Sequence, residues 1–401
     1  MRTELQTGIA AAIAAAALAL LVPSAAAPTA VPGEYQSMYT SLRSELGAPF
    51  SVRPPARTPK PVWGAHLLVA DSNRGPVLLS PGTLAGVDIT LDRFQEMGIQ
   101  GATVAIGYPL FTSSFNPDSS RYVDFYKAVA AKVRARGMKF TVEQIVLWPN
   151  GEFSPWTFDL SGLTMQQLIN DSRQMAQTII DQLHPDYLTI LHEPDTYAVT
   201  TGLIQFFDPQ TVTDYVSGVL QGLNRGDTKV GAGSGTWSGP WYMYGLLQTS
   251  IDYLDLHIYW VNPTSVAAGK EIAALVRAYG KPVVIDEAWL FKTVARGTEG
   301  LPGVEGNAAV FRRDVFSFFE PLDRKFLDQA TRFAKSAGAE YFAPYWSNYF
   351  FAYLDYSPTT KDLPFSDLVN VLAPQAVAQA LIADRFTKTG KQYARIIQRN
   401  G

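Results

Sequence analysis

Tyr187-Leu188-Thr189-Ile190-Leu191-His192-Glu193-Pro194 runs without a charge through Leu191, then reaches a carboxylate and a proline. Val283-Val284-Ile285-Asp286-Glu287-Ala288-Trp289 repeats the form further along the chain. Short apolar runs bounded by Gly, Pro or Asn read as parallel strands buried on both faces. Outward from these two, taken as 187–191 and 282–286, six more runs appear: 62–69, 102–106, 140–147, 229–232, 253–259 and 340–345. Their starts advance by about 40 residues on average, one β/α unit each. Between them lie helical patterns at 124–136, 165–183, 266–279 and 323–336. Gly137, Gly280 and Gly338 follow three of these, where a helix C-cap wants glycine. The predicted fold class is α/β, a single (β/α)8 TIM barrel over residues 62–399. The alternative, an open doubly wound sheet, lacks a GxGxxG after the first strand and a P-loop.

Composition narrows the function. Of 401 residues, 47% are hydrophobic and 12% aromatic, enough for a large core and against disorder. Charges are sparse (17%) and balanced, 33 basic against 36 acidic for a net −3. Nothing there drives binding to nucleic acid or to an anionic membrane. With no cysteine, disulfides, thiolate catalysis and Cys-ligated metal centres are excluded. Four histidines leave little for a His-rich metal site. The expectation is no cofactor and no metal.

At the N-terminus Arg2 precedes an apolar run over 9–22, then Pro23, Ser24 and Ala25-Ala26-Ala27. That length suits a secretory signal better than a membrane span. Residues 1–27 are therefore expected to be a leader cleaved near Ala26 or Ala27, giving a secreted or periplasmic protein with no further membrane segment. An uncleaved anchor is the alternative. Residues 28–61 are proline-rich around a short helical stretch, 34–46, and read as a linker or a strap on the barrel exterior.

In a barrel of this kind the chemistry sits at the C-terminal ends of the strands. Glu193 ends strand 4 and Glu287 ends strand 7, and a carboxylate closing an apolar strand is costly without a partner or a task. Paired carboxylates facing one mouth perform glycoside hydrolysis. In this placement the sequence resembles the large clan of retaining (β/α)8 glycoside hydrolases, in architecture over nearly all of 62–399 and in letters over short motifs only. The resemblance implies Glu193 (His192-Glu193-Pro194) as acid/base and Glu287 (Asp286-Glu287-Ala288-Trp289) as nucleophile. It implies Tyr259 as a hydrogen-bond donor to the nucleophile and Trp346 as the floor of the first sugar site. His192 stands where most of the clan has an asparagine that binds the sugar 2-hydroxyl.

From this placement the two carboxyl groups are expected about 5–5.5 Å apart. Glu193 is expected to hold the raised pKa, and Asp286 to face away from Glu287. A structural ion pair of either glutamate with Arg74 or Lys292 is the competing reading. Further candidates for substrate contact are His257, Trp148, Trp237, Trp289 and Tyr108, with Asp255, His257 and Tyr259 sharing one face of strand 6. Seven of eight tryptophans follow or end strands: Trp148, Trp156, Trp237, Trp241, Trp260, Trp289 and Trp346. Such rings suit the apolar faces of sugars. The segment 349–353 is expected to wall one end of the cleft. The expected partner is a carbohydrate substrate; oligomeric state is not legible. Two rivals remain: a carbohydrate-binding barrel without catalysis, and a metal-dependent sugar isomerase or lyase using His257, Glu193 and Glu287.

Overall fold

The structure, a computed structural model, describes residues 30–48, 50, 60–149, 151, 153–259, 262–293 and 307–400. The predicted leader and Trp260 lie outside the described residues. Eight parallel strands close into a barrel in sequence order. They are β1 (Val62–His66), β2 (Gly101–Tyr108), β3 (Lys139–Val146), β4 (Tyr187–Thr189), β5 (Lys229–Gly235), β6 (Tyr253–His257), β7 (Val283–Ala288) and β8 (Ala339–Pro344). Each lies in or across one of the eight apolar runs, so the barrel read from spacing is the barrel observed.

Helices pack around the strands. Thr164 and Gln167 form a reciprocal capping box at the start of the helix Met165–Leu183, whose inner stripe includes Leu168, Met175 and Ile179. Asp208 and Asn262 cap the helices Pro209–Leu220 and Pro263–Ala278 by accepting from the N–H groups of Thr211 and Ser265. Gly137, Gly280 and Gly338 all take positive φ beyond their helices, as their positions predicted. The helix Gln36–Glu45 lies on the outer layer, where Gln329 Nε2 donates to Leu46 O and Phe50 stacks on Phe333. Phe365–Ile382 is one continuous helical stretch, apolar and long enough by composition to span a membrane, but packed against the helix Thr83–Met97.

Inside the barrel the lower layer is aromatic. Tyr187, Tyr253, Tyr341, Val284 and Ala343 form their own buried cluster. The rings fit because the strands facing them carry glycine. A Cβ on Gly231 would stand 2.2 Å from Tyr253 Cε2, and one on Gly64 would stand 2.2 Å from the Tyr341 hydroxyl. The hydroxyls are satisfied by Thr189 (2.9 Å from Tyr253) and Thr103 (3.0 Å from Tyr341).

One irregularity shapes everything above that layer. In the β7–β8 ladder Ile285 pairs with Phe342, but the next pair is Ala288 with Pro344. β7 therefore carries one extra residue, a β-bulge, across Asp286 and Glu287. Three groups hold it. The Asp286 N–H donates to Asp255 Oδ1 at 3.3 Å, and its C=O accepts from His66 Nε2 at 2.8 Å. The Asp286 side chain accepts from Thr103 Oγ1 at 2.6 Å. Asp286 thus points into the barrel together with Glu287, contrary to the alternation expected for a regular strand.

Candidate active site

Above the tyrosines the barrel holds a layer of fully buried ionisable groups: His66, Glu143, Asp255, Asp286 and His257. Alternation explains most of it. Glu143 sits on the same face of β3 as Thr141, and Asp255 and His257 share the inner face of β6, as expected. The signal that singled out Glu193, a carboxylate in an apolar strand, applies equally to Glu143 and Asp255, which sequence reading left unassigned.

His257 organises the layer. Its Nδ1 lies 2.8 Å from Glu193 Oε1 and 3.5 Å from Glu287 Oε2. Its Nε2 lies 3.1 Å from Glu143 Oε1 and 3.3 Å from Asp255 Oδ2. Burial opposes a charge on this ring, but the charges of Glu287 and Asp255 and the hydrogen bonds to Asp255 and Glu143 outweigh it, raising the pKa well above the ordinary value. His257 is an imidazolium donating from both nitrogens. His66 and His192 go the other way: burial lowers them to about 3 and about 4, so both are neutral. Since a carbonyl accepts from His66 Nε2, that nitrogen carries its proton. Burial, then the charges of Glu287 and Asp286, pushes Glu143 well above the carboxylate range.

Glu193 and Glu287 sit one level higher, at the mouth. Glu193 is where β4's extended chain turns into the helix Pro194–Thr201, with Pro194 at the first helical position. Its Oε2 accepts from Thr196 Oγ1 at 2.5 Å. Glu287 accepts a very short hydrogen bond from the Tyr259 hydroxyl. A carboxylate oxygen of each and a ring nitrogen of His257 all lie within 4.8 Å of one another. Neither glutamate pairs with Arg74 or Lys292. Arg74 donates to Val69 O, and Lys292 is buried between Asp314 and Asp323.

The protonation pattern departs from expectation. Burial pushes Glu193 up, but the hydrogen bond and charge of His257, with His192 and Thr196, override it and hold the carboxyl at about 2. Burial raises Glu287 to about 7, with Glu193's charge adding to it and His257 and Tyr259 opposing. Like charge and burial alone favoured a proton on Glu193. They omitted an imidazolium that stands closer to Glu193 than to Glu287.

These groups floor a cleft of about 750 Å³. Among the predicted contacts, Trp148, His192, Trp237, Tyr259 and Trp346 line it, while His257 lies beneath. Trp237 is braced by a 2.8 Å hydrogen bond from Nε1 to Asp195 Oδ2, a partner not foreseen. His192 Nδ1 is buried without a hydrogen-bond partner. Two predicted contacts are absent from the cleft. Tyr108 falls on the outer face of β2, where its hydroxyl donates to Asp171 at 3.0 Å. Trp289 is 1% exposed and, just past the end of β7, packs away from the cleft against Tyr349 and Phe350. Of the segment 349–353 only Phe351 reaches the cleft. Trp156 and Trp241 stand off its lining, and Trp241 is 71% exposed.

Among the described residues, three trios have donor atoms close enough for a cation: His66–Glu143–Asp286, Glu143–Asp255–His257 and Glu193–His257–Glu287. The last two depend on His257, which offers no lone pair while protonated.

The fold and mouth together define a (β/α)8 barrel with a close carboxylate pair over a buried imidazolium. Among solved structures, similar chains include a GH5_18 protein from Bifidobacterium longum (13% identity, 85% of this chain and 79% of that one, TM-score 0.55). An exo-β-1,4-mannosidase from Opitutaceae bacterium strain TAV5 matches at 14% identity over 88% of this chain and 61% of its own, TM-score 0.55. A β-glucosidase from Thermotoga maritima matches at 14% identity over 87% of this chain and 99% of its own, TM-score 0.50. At such identities the likeness is one of fold. No protein-family model matches the chain, and no curated protein matches it.

Proposed function

We propose that this protein is an exported glycoside hydrolase that cleaves a β-linked oligo- or polysaccharide with retention, by double displacement. The observation that carries the reading is the carboxylate pair. Glu193 and Glu287 stand at the ends of β4 and β7 with oxygens within 4.8 Å, inside an aromatic-walled cleft. That spacing suits direct attack by one carboxylate and leaves too little room for the water of an inverting mechanism. The structural neighbours that act on β-mannosides and β-glucosides support the substrate class. Export rests on the N-terminal sequence alone.

In this mechanism Glu287 attacks the anomeric carbon while Glu193 protonates the leaving oxygen. A water deprotonated by Glu193 then displaces Glu287 and releases the sugar. In the free protein His257 favours the ionised form of Glu193, so a proton must reach Glu193 before the first step. His257 Nδ1, 2.8 Å from one carboxylate and 3.5 Å from the other, is placed for it. It passes its proton to Glu193 and takes the proton of Glu287, and the ring ends charged as it began. Tyr259 then stabilises the ionised Glu287 through its hydroxyl. His192 lines the cleft beside Glu193, within reach of the sugar bound there.

Glu287→Ala tests the assignment. Turnover of aryl β-glycosides should be abolished, azide should restore part of it with inverted product, and a fluorosugar should label Glu287 in the unaltered protein. Normal hydrolysis by the variant would refute the nucleophile.

A further inference from the structure

The cleft does not end at the carboxylates. It runs across the mouth to the β1–β8 side, where Leu68, Val69, Val77, Val369, Val377 and Leu381 line it. The first three belong to the 68–77 loop after β1, the others to the helix Phe365–Ile382. Among the described residues, the charged ones lining the cleft apart from the two glutamates are Asp71 and Arg74, and Arg74 donates to Val69 O at 3.0 Å. Thr90, also in this arm, gives its hydroxyl to Gly86 O at 2.8 Å. Ser366 and Asn370 of the helix Phe365–Ile382 also line the cleft, but the aliphatic stretches of its wall offer sugar hydroxyls no hydrogen bonds, so a sugar laid against them would lose water without compensation. The same walls gain from covering a hydrocarbon.

The helix that closes this arm is unusual for a protein surface. It carries one charge, Asp367, in 18 residues, is only 39% buried, and leaves Val371 and Ile382 about half exposed. An outer helix ordinarily turns charges to solvent. A π turn at Leu368–Leu372 includes the cleft-lining Val369, and such turns are frequent at functional sites. Arg93 Nε donates to Leu381 O at 3.0 Å and ties the helix end to the helix Thr83–Met97.

We propose that the cleft takes an amphipathic saccharide: a sugar at the carboxylates, covalently joined to an alkyl or acyl chain lying in the β1–β8 arm. This rests on Glu193 and Glu287 being a hydrolytic pair. The occupant follows from continuity, since one uninterrupted cavity has a polar, carboxylate-bearing end and an aliphatic end.

The test compares two substrate series. In one the chain is on the anomeric oxygen (methyl, butyl and octyl β-mannosides and β-glucosides). In the other it is an octanoyl ester on the sugar ring of an aryl glycoside. In at least one series kcat/KM should rise about tenfold or more with the chain, through KM, against a ceiling of about fourfold per fully buried methylene. Val377→Asp should erase that gain while hydrolysing the methyl or unacylated substrate normally. Val77→Asp, at a position 44% exposed and so tolerant of charge, should reduce it likewise. Chain-independent hydrolysis in both series, or a gain that survives both variants, overturns the proposal and leaves the hydrolase reading standing. If no glycoside is hydrolysed, the hydrolase reading fails instead, and calorimetry with octyl β-glucoside decides the arm. Binding lost in Val377→Asp supports the apolar site; no binding overturns it.

Discussion

Replacing His257 by glutamine removes the charge on which the proposed chemistry depends while keeping a donor of similar reach. Its ring nitrogens stand between 2.8 and 3.5 Å from Glu193, Glu143, Asp255 and Glu287, all within the barrel. Leaving buried carboxylates without their cation costs about 3–5 kcal/mol. The structure gives a similar figure independently. Glu193 is held at about 2 rather than 4.5, and at 1.36 kcal/mol per pH unit its ionised form is favoured by about 3 kcal/mol, net of burial. The variant can recover part of this by protonating Glu193, and that makes the loss depend on pH. In the unaltered protein the folded pKa of His257 is raised. Its contribution is therefore complete below the unfolded value near about 6.5 and declines as pH rises toward the folded one. In the variant Glu193 becomes the raised group, so its contribution is complete only below about 4.5 and declines above that. Between about pH 4.5 and 6.5 the variant loses the Glu193 contribution while that of His257 in the unaltered protein is still complete, the raised Glu287 and Glu143 acting in both, and above about 6.5 the two contributions decline together. The deficit should therefore be about 3–5 kcal/mol near neutrality and shrink toward acid by about 1.4 kcal/mol per pH unit. Urea unfolding followed by tryptophan fluorescence, at about pH 5 and about pH 7, measures it. A deficit under about 1 kcal/mol at neutrality, or one equal at both pH values, refutes a charged His257 as the clamp on these carboxylates.

Three further outcomes follow from particular contacts. The Glu193–Glu287 pair titrates near about 2 and about 7 and needs one proton to work, so kcat/KM should fall above about pH 7. With a good leaving group, Glu193→Gln should lose that basic limb; an unchanged limb assigns it elsewhere. Lys292→Met strips the cation from buried Asp314 and Asp323 and should cost about 3–5 kcal/mol in urea unfolding, where a loss below about 1 would mean the three groups are not one ion cluster. Gly231→Ala drives a Cβ into the Tyr253 ring and should cost about 1–3 kcal/mol, most of it recovered in a double variant with Tyr253→Leu; full stability of the single variant contradicts the tight lower layer.

Eight strand segments, the helices between them and their glycine caps were legible in the chain because they depend on local composition and spacing. The carboxylates at the ends of β4 and β7 were legible for the same reason, since a barrel places strand ends at its mouth whatever the loops do. Tyr108 shows where spacing runs out. Its strand was recognised, but the face it takes depends on the register against β3, and a shift of one residue moves a side chain from the cleft to the helices.

Only the tertiary structure decided the bulge in β7. Nothing local in Val283-Val284-Ile285-Asp286-Glu287-Ala288-Trp289 marks it, because it is held from outside by His66 of β1, Thr103 of β2 and Asp255 of β6. That one extra residue brings Glu287 to the inner face beside Asp286, while Trp289, past the strand's end, packs against Tyr349 and Phe350 instead of the cleft. The protonation of the pair was hidden for the same reason. It is set by an imidazolium from β6, a residue remote in sequence from both glutamates, whose distance to each exists only once the barrel has closed.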